Sequence, residues 1–364
     1  MEPEAPKVGI FGTGSLIRSL VPHIRRHFEV IAIWDEDDGQ MEEEAESLNI
    51  GFSSPYVDDV LLHKEIGLLL ILCDPIYHAS IAVKALGIAK HVYVHPPCAI
   101  SGSETLRMVQ SAAYYPNLLA VVGSLRSLPA VCEMKRLITE QEFLGNEIIH
   151  CDVRLNSPSL IGNSRYSWKC SQEMGGGVLN FFGSHVIDLV IYLLSHKAVR
   201  VHAVSRTVQR QTQQMSEIRK ITADDITSLV VETDANCLVT IHLSSQSCSF
   251  NQEVSITGNA GQLVLRNASL YGRKLVDNQG EQVLYQDEPD IEPDKHLGPG
   301  LPWLYLQGYI KLFDHLQQVL VSKKQEDKCH LASFEDALHV SEIISAARQS
   351  SLEKTWCRVQ LMDH

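Results

Sequence analysis

Two glycines near the N-terminus stand between a short apolar run and a segment with helical spacing. The run covers residues 7–11, the glycines are Gly12 and Gly14, and the helical segment begins at Ser15. In this context the first glycine permits a tight turn and the second lets the backbone approach a ligand, while the helix start offers free N–H groups to an anion. Asp35 ends the next apolar run 21 residues after Gly14, where a carboxylate can accept hydrogen bonds from a ribose. The pattern predicts a site for a dinucleotide.

The predicted site favours NAD over NADP. Glu36, Asp37 and Asp38 follow Asp35, and their charges would repel a 2′-phosphate. A solvated turn is the alternative interpretation of these three neighbours. Because Ile17 replaces the third small residue of the usual glycine motif, an ordinary strand–turn–helix connection is the alternative for the whole segment. The residues expected to contact the cofactor in this segment are Gly12, Thr13, Gly14, Ser15, Leu16 and Asp35.

The composition indicates a soluble protein of two domains. A chain of 364 residues with 45% hydrophobic residues can build two ordinary cores. With 31 basic and 44 acidic residues the net charge is -13, so neither nucleic acid nor a membrane surface is an expected partner. The nine cysteines form no C-x-x-C motif and no zinc-like spacing with histidine, which predicts no metal site and reduced thiols. The N-terminus lacks the features of a signal peptide and the apolar run 66–73 is too short to span a bilayer, so we expect a cytoplasmic protein.

Two styles of hydrophobic patterning divide the chain near residue 127. Before this point short apolar runs alternate with helical segments, which predicts a parallel sheet with crossover helices. After it apolar and polar residues alternate, as they do in half-buried antiparallel strands. We therefore place a dinucleotide-binding Rossmann domain at residues 1–126 and a second domain at residues 127–364.

The element predictions follow from these patterns. The strands of the first domain are predicted at residues 7–11, 29–34, 68–72, 91–94 and 118–122, and its helices at 15–27, 40–48, 77–86 and 102–115. The strands of the second domain are predicted at residues 147–156, 199–207, 226–233, 237–244, 253–258 and 262–265. Helices are predicted at residues 176–194, 303–321 and 334–350, and an exposed polar loop at 287–300.

Four further segments resemble, in the same order, motifs of the Gfo/Idh/MocA oxidoreductases. Cys73-Asp74-Pro75-Ile76-Tyr77-His78 is similar to the P-x-x-H turn of that family, and residues 82–94 are similar to its next helix and strand. Gly175-Gly176-Gly177 resembles the entry to the substrate-facing helix, and Ser333-Phe334-Glu335-Asp336-Ala337 resembles the closing helix. The resemblance implies that Cys73, Pro75 and His78 contact the nicotinamide half of the cofactor.

A narrower resemblance connects the chain with the glucose-fructose oxidoreductase domain-containing proteins of animals. It is carried by residues 113–116, 198–202 and 221–225. The fold implied is α/β, with an N-terminal Rossmann domain that contains a parallel sheet and a C-terminal α+β domain with an open, mainly antiparallel sheet. In the family the outer face of that second sheet commonly forms a dimer, so a homo-oligomer is expected.

Two positions depart from the family pattern, and both concern proton transfer. Typical members carry a Glu-Lys-Pro loop whose lysine moves a proton to or from the substrate oxygen. In this chain the loop is His95-Pro96-Pro97, and Pro96 has no ionisable group. Typical members also carry an aspartate four residues before a histidine on the substrate helix, where this chain has Phe181 and His185. His95 and Pro96 are still expected to contact the cofactor, because consecutive prolines can preserve the shape of the loop.

Two functions are compatible with this combination. The first is an NAD-dependent oxidoreductase with altered proton handling, in which His185 acts as acid or base because an ordinary imidazole titrates near neutral pH. His95, Tyr166 and Lys169 are then candidate catalytic helpers. The substrate would be a small molecule, such as a sugar, another ring-shaped metabolite, or a conjugated C=C or C=N system. The second function is a catalytically inactive nucleotide- or metabolite-binding protein that acts as a sensor or assembly partner.

Several other residues have two interpretations each. Arg126 is either a substrate-facing residue or a partner in a salt bridge near the domain linker. Trp168 and Tyr166 either line a pocket for a ring-shaped ligand or belong to the core. Lys84 and Lys90 are expected to be solvated charges.

Overall fold

The computed structural model describes residues 5–123, 125–140, 143–162, 166–211, 219–276, 280–288, 301–322 and 331–360. Two compact units share the chain. The first unit comprises Met1–Ser124 and Lys295–Leu338, and the second comprises Leu125–Asp294 and His339–His364. A single cut at residue 126 differs from these units in two respects: the late segment Lys295–Leu338 groups with the first unit, and residues 125 and 126 group with the second.

Helices and strands alternate along most of the first part of the chain, and strands dominate its later part. The earlier elements are β1 (Lys7–Phe11), α1 (Ser15–Ile24), β2 (Glu29–Trp34), α2 (Asp38–Ser47), β3 (Phe52–Ser53), α3 (Val57–Leu61), β4 (Leu68–Ile71), α4 (Pro75–Gly87), β5 (His91–Val94), α5 (Gly102–Tyr114), β6 (Ala120–Val122) and α6 (Pro129–Thr139). The later elements are β7 (Ile148–Asn156), α7 (Val178–Leu194), β8 (Ala198–Arg206), β9 (Ile226–Thr233), β10 (Leu238–Ser244), β11 (Asn251–Gly258), β12 (Gly261–Arg266), β13 (Ser269–Lys274), β14 (Gln282–Gln286), α8 (Trp303–Ser322), β15 (Ala332–Ser333), α9 (Phe334–Glu353) and β16 (Cys357–Arg358).

The first unit is built on a sheet with the strand order β15-β6-β5-β4-β1-β2-β3. All neighbouring strands are parallel except β15, which pairs with β6 in the antiparallel direction. The order reverses between β1 and β4, and in open α/β sheets ligands bind at the carboxyl ends of strands at such a point. Residues that follow β1, β2 and β4 are therefore placed at the expected ligand-binding edge.

Apolar side chains explain why these segments form this sheet. Every residue of β4 is buried, as is typical of a parallel strand covered on both faces. Helix α1 buries Ile17, Leu20, Val21 and Ile24, whose spacing places them on one helix face. Burial of Ile17 also shows how the helix accommodates a large residue at the third position of the glycine motif.

The second unit is built on a sheet with the order β14-β13-β12-β11-β7-β10-β9-β8-β16. Its neighbouring strands are antiparallel apart from the parallel pair β7 and β10. Cys151, Val153 and Leu155 of β7 are buried, whereas Asp152 and Arg154 between them are exposed. This alternation gives the sheet one covered face and one open face.

Helix α7 packs on strands β7, β9 and β10 of this sheet and is buried along almost its whole length. Among the described residues, the helical stretch Gln172–Leu194 alone has the length and apolar composition to cross a membrane. Because 89% of its most apolar window is buried inside the unit, this composition is typical of a core helix.

The predicted fold class is confirmed: a parallel Rossmann sheet comes first and a mainly antiparallel sheet second. Prediction missed α6, although its buried residues Ala130, Val131, Met134 and Leu137 have helical spacing. It also missed the short elements β3 and α3 and the strands β13, β14, β15 and β16. The predicted exposed loop was wrong at its first residue, because Asp287 is buried and accepts a hydrogen bond from the Ala130 N–H at 3.0 Å. Residues 289–300 of that loop lie outside the described residues.

Candidate functional site

The glycine turn after β1 has the conformation that its two glycines permit. Gly12 has φ +124°, and its N–H donates a hydrogen bond to the Trp34 carbonyl at 2.7 Å. A Cβ atom on Gly12 would lie 2.9 Å from the backbone nitrogen of Cys73, so a larger residue would displace the neighbouring chain. Gly14 has φ +96°, and a Cβ atom there would meet only the Gln40 amide, at 3.9 Å. The space beside Gly14 therefore fits a ligand that approaches the backbone, and the next residue, Ser15, begins α1.

Asp35 is held beside this turn by hydrogen bonds. The Thr13 hydroxyl donates to Asp35 Oδ2 at 2.8 Å, and the Asp37 N–H donates to Oδ1 at 3.1 Å. The Gln40 side-chain amide donates to the Thr13 hydroxyl at 2.7 Å. The carboxylate is only partly buried, and each of its oxygens can accept a further hydrogen bond. These contacts fix the Asp35 carboxylate directly after β2, beside the glycine turn.

A second carboxylate, that of Glu36, is fixed next to Asp35. The Tyr77 hydroxyl donates a hydrogen bond to the Glu36 carboxylate, and this bond raises the pKa of Tyr77 to about 12. The Tyr77 ring packs edge-on against Trp34, with 5.4 Å between the ring centres. Tyr77 thus connects the start of α4 with the end of β2, and it holds an additional negative charge at the predicted ribose site.

His78 joins two loops that follow neighbouring strands. Its ring is completely buried, with Nε2 2.9 Å from the Cys73 carbonyl and Nδ1 3.0 Å from the Pro97 carbonyl. Burial lowers the pKa of His78 to about 4, so the ring is neutral at pH 7 and donates one proton to these two acceptors. Pro75 is the first residue of α4, where a missing N–H costs nothing. The three residues assigned to the nicotinamide turn, Cys73, Pro75 and His78, therefore lie together.

The loop after β5 is anchored through His95. The backbone N–H of His95 donates to the Ile71 carbonyl at 2.9 Å. The buried Nδ1 of the His95 ring shares a hydrogen bond with the Tyr309 hydroxyl of α8. Pro96 and Pro97 follow, joined by a cis peptide bond and both buried. The loop stays attached to the carboxyl edge of the sheet without an ionisable side chain at position 96.

In the second unit, the glycine run before α7 is explained by Asp224. A Cβ atom on Gly177, which has φ +99°, would lie 2.1 Å from Asp224 Oδ1. The Asp224 carboxylate accepts hydrogen bonds from the Leu179 N–H and the Thr227 hydroxyl, both at 2.9 Å, and the Asp224 carbonyl accepts one from the Val178 N–H at 2.7 Å. Burial raises the pKa of this carboxyl. Asp224 thus caps α7, a role that sequence reasoning missed although the glycine run was its signal.

His185 lies in the middle of α7 and is buried. Burial lowers the pKa of His185 to about 3, so its imidazole is neutral at pH 7. This shift is opposite to what a proton donor near neutral pH requires. The expectation that His185 titrates near neutral pH is therefore not met in this structure.

Aromatic side chains surround the position where the family pattern has its aspartate. The ring centre of Phe181 lies 6.0 Å from that of Trp168 and 5.0 Å from that of Phe182. The Lys169 ammonium lies 5.6 Å from the Phe181 ring centre.

Tyr166 belongs to a separate group, packed against Ile161, Cys170, Ile221 and Ala223. Of the two residues considered as pocket walls, Trp168 is nearly buried beside Phe181 and Tyr166 is partly buried in the neighbouring cluster.

Arg126 and Asp188 form a buried ion pair within the second unit. Arg126 Nε donates to Asp188 Oδ2 at 3.0 Å, and Nη2 donates to Oδ1 at 2.5 Å. The Arg126 guanidinium also lies 4.8 Å from the Tyr192 ring centre. Of the two interpretations of Arg126, the structure therefore supports the salt bridge.

The two lysines expected to be solvated differ from each other. Lys84 is exposed and pairs with Asp58 at 2.8 Å. The prediction for Lys90 was wrong: it is buried, and its ammonium donates to the carbonyls of His63 at 2.8 Å and Ile66 at 2.6 Å. Burial lowers the pKa of Lys90. The two carbonyls precede β4, and their proximity to Lys90 arises only when β4 and β5 pair.

Comparison with known proteins agrees with both units. Residues 6–122 match the model of an oxidoreductase family with an NAD-binding Rossmann fold, and residues 131–264 match the model of the GFO/IDH/MocA C-terminal domain. The chain is 36% identical to glucose-fructose oxidoreductase domain-containing protein 2 of Homo sapiens, with 98% of this chain and 94% of the relative covered. It is 34% identical to glucose-fructose oxidoreductase domain-containing protein 1 of Xenopus tropicalis, with 98% and 93% covered.

A solved structure shows the shared fold. Levoglucosan dehydrogenase in complex with NADH and L-sorbose has a TM-score of 0.84 to this chain at 19% identity, with 99% of this chain and 100% of that chain covered. The resemblance inferred from the sequence motifs is thus confirmed. The chain belongs to the Gfo/Idh/MocA family of oxidoreductases and is similar along its whole length to the glucose-fructose oxidoreductase domain-containing proteins of animals.

Proposed function

We propose that this protein is an NAD(H)-dependent oxidoreductase in which proton transfer does not rely on the loop lysine of its family. The observation that carries the proposal is the placement of Asp35. Thr13 holds its carboxylate beside the glycine turn, at the point where the strand order of the Rossmann sheet reverses. The residues that would hold the dinucleotide are Gly12, Thr13, Gly14, Ser15, Leu16, Asp35, Cys73, Pro75, His78, His95 and Pro96.

The proposed cofactor is NAD(H) in preference to NADP(H). Asp35 and Glu36 both present carboxylates where a 2′-phosphate would lie, and Tyr77 keeps the second one in place. Two fixed negative charges repel a doubly charged phosphate, whereas a ribose hydroxyl can donate a hydrogen bond to Asp35.

A bound nicotinamide would supply or accept a hydride. The protein must then donate a proton to the substrate when the hydride is added, or accept a proton when the hydride is removed. Neither Pro96 nor Phe181 can do so. We propose that His185 does not transfer this proton, because burial lowers its pKa to about 3. His95, Tyr166 and Lys169 stay the candidate helpers: His95 is hydrogen-bonded to Tyr309, Tyr166 packs in a separate cluster, and the Lys169 ammonium lies over the Phe181 ring.

The proposed substrate is a small ring-shaped metabolite, such as a sugar. The similar structure of levoglucosan dehydrogenase holds NADH and L-sorbose, which is consistent with this substrate class. Reduction of a conjugated C=C or C=N bond would depend least on a proton donated by a protein side chain.

We also propose a homodimer that forms through the open face of the nine-stranded sheet. Asp152 and Arg154 are exposed on this face.

A second candidate function is a nucleotide-binding sensor without turnover. The observation that favours it is the replacement of both proton-handling positions by Pro96 and Phe181, while the cofactor residues remain in place. A fold shared with oxidoreductases does not decide between the two candidates, because function depends on the residues of the site.

Isotope transfer distinguishes the candidates. The purified full-length protein is incubated with NADH deuterated at C4, in each stereoisomer, together with a small-molecule extract of cells. An oxidoreductase should transfer deuterium to a metabolite detected by mass spectrometry, and the variant Asp35→Ala should lose this transfer. If the protein binds NADH but no metabolite gains deuterium from either stereoisomer, the oxidoreductase proposal is overturned and the sensor is supported.

A further inference from the structure

A buried carboxylate contacts the start of the helix that follows the glycine turn. Glu44 of α2 is only 4% exposed. Its Oε2 accepts a hydrogen bond from the Gly14 N–H at 3.2 Å, and its Oε1 lies 3.4 Å from Arg18 Nε. Glu44 belongs to a run of acidic residues that sequence reasoning treated only as part of a helix.

The position of Glu44 is electrostatically unusual. A carboxylate inside a fold loses hydration, and this loss raises the pKa of Glu44. The Gly14 N–H and the positive end of α1 partly compensate for the loss. The same N–H groups and the same helix end are those that attract the pyrophosphate of a dinucleotide in this fold. Glu44 and a bound pyrophosphate are therefore two anions that would be stabilised by the same N–H groups and the same helix end, and they would repel each other.

We propose that Glu44 sets the affinity of the glycine turn for the dinucleotide, by acting as an internal anion that weakens pyrophosphate binding whenever it is charged. This inference rests on the proposed NAD(H)-binding function and adds to it a residue that determines how tightly the cofactor is held. It assigns Arg18 the role of partly neutralising Glu44.

Charged groups on each neighbouring element support this assignment. From α1, Arg18 is the cation beside Glu44, with its side chain 60% exposed. From its own helix, Glu43 adds a negative charge, and from the end of β2, Asp35 adds another. Besides burial, the two carboxylates oppose ionisation of Glu44, so its pKa is raised and it takes up a proton more readily than an isolated glutamate. The affinity for the dinucleotide should therefore rise as the pH falls.

The first test removes the charge of Glu44 and keeps its shape. In Glu44→Gln the amide oxygen can still accept from the Gly14 N–H. We expect the dissociation constant for NADH, measured by calorimetry at pH 7.5, to fall about fivefold. The matched control is Glu42→Gln, which removes an exposed charge from the same helix and should leave the dissociation constant unchanged.

The second test begins with the unsubstituted protein, so its first result does not depend on a variant that could misfold. The dissociation constant of the unsubstituted protein for NAD⁺ is measured from pH 8 to pH 5.5, where the pyrophosphate keeps its charge. We expect tighter binding at the lower pH and a flatter profile in Glu44→Gln. Arg18→Ala should weaken binding in the unsubstituted protein and have a smaller effect in the Glu44→Gln background.

The outcomes separate the two proposals. If the unsubstituted protein binds NADH and Glu44→Gln binds it equally or more weakly, the role of Glu44 is overturned and the proposed function stands. If neither protein binds NADH at millimolar concentrations, the proposed function and the role of Glu44 are both overturned. If both proteins bind NADH and Glu44→Gln binds it more tightly, both proposals are supported.

Discussion

His95 and Tyr309 share a hydrogen bond between Nδ1 and the phenolic hydroxyl, although 214 residues separate them in the sequence. Both side chains are buried, and their ring centres lie 5.6 Å apart. The contact attaches the loop that follows β5 to helix α8. His95 is therefore a positioning residue for this loop in the structure, and its ring nitrogen is engaged before any substrate arrives.

The first prediction concerns this contact. Tyr309→Phe removes the hydroxyl and withdraws a buried hydrogen bond from His95, so the free energy of unfolding should fall by about 1–3 kcal/mol. Urea denaturation followed by circular dichroism measures the change. Tyr114→Phe is the matched control, because Tyr114 is 82% exposed, and it should cause no measurable change. Equal stability of the two variants would contradict an anchoring role for Tyr309.

The second prediction concerns the ion pair of Arg126 with Asp188. Arg126→Met leaves a buried carboxylate without its guanidinium, which should lower the free energy of unfolding by about 3–5 kcal/mol. The double variant Arg126→Met with Asp188→Leu should recover most of this loss, since no charge then stays buried. Arg200→Met breaks the exposed pair with Glu232 and should have little effect. If the double variant is as unstable as Arg126→Met, the loss of stability does not come from the uncompensated charge of Asp188, and the prediction is wrong.

Much of the fold could be predicted from the sequence where local patterns decide the structure. Strands β1, β2 and β5 have their predicted bounds, because apolar runs between glycine, proline and charged residues mark a buried parallel strand. The positions of Gly12 and Asp35 were also predictable, since each position depends on a single turn or a single strand end.

Features that depend on distant contacts were not predictable. Lys90 was expected to be solvated, and it is buried because strand pairing brings the carbonyls of His63 and Ile66 to its ammonium. The low pKa of His185 arises from burial, which no spacing within α7 reveals. The parallel pairing of β7 with β10 likewise depends on the order of the complete sheet.

The third prediction concerns stability in acid. Burial lowers the pKa of His185 to about 3, and an imidazole in the unfolded chain has a pKa of about 6.5. Between these values the unfolded chain binds more protons than the folded protein, so the free energy of unfolding falls as the pH falls. The slope from this group is about 1.4 kcal/mol per pH unit.

Unfolding by urea at pH 5.5 and 4.5 measures this slope, and pH 7.5 is the reference above the window. His185→Gln should be less pH-sensitive than the unsubstituted protein, whatever its stability at pH 7.5. His202→Gln, at a half-exposed position on the sheet, is the control and should keep the original slope. An unchanged slope in His185→Gln would show that His185 is not a buried neutral imidazole.

The fourth prediction concerns the choice of cofactor. The unsubstituted protein should bind NADH at least about tenfold more tightly than NADPH, because Asp35 and Glu36 repel a 2′-phosphate. The double variant Asp35→Ser with Glu36→Arg should reverse the preference. Tyr77→Phe releases Glu36 without removing a charge, and it should reduce the discrimination by a smaller factor. A preference for NADPH in the unsubstituted protein would contradict the proposed role of the two carboxylates.

The central claim is that the glycine turn with Asp35 binds NAD(H), and direct titration tests it. Nicotinamide fluorescence is followed as NADH is titrated with purified full-length protein and with Asp35→Ala, with Asp38→Ala as the control on an exposed neighbour. We predict saturable binding by the unsubstituted protein and by Asp38→Ala, and binding at least about tenfold weaker by Asp35→Ala, since a charge-assisted hydrogen bond is lost. Absence of binding at millimolar NADH, or equal binding by Asp35→Ala, would contradict the claim.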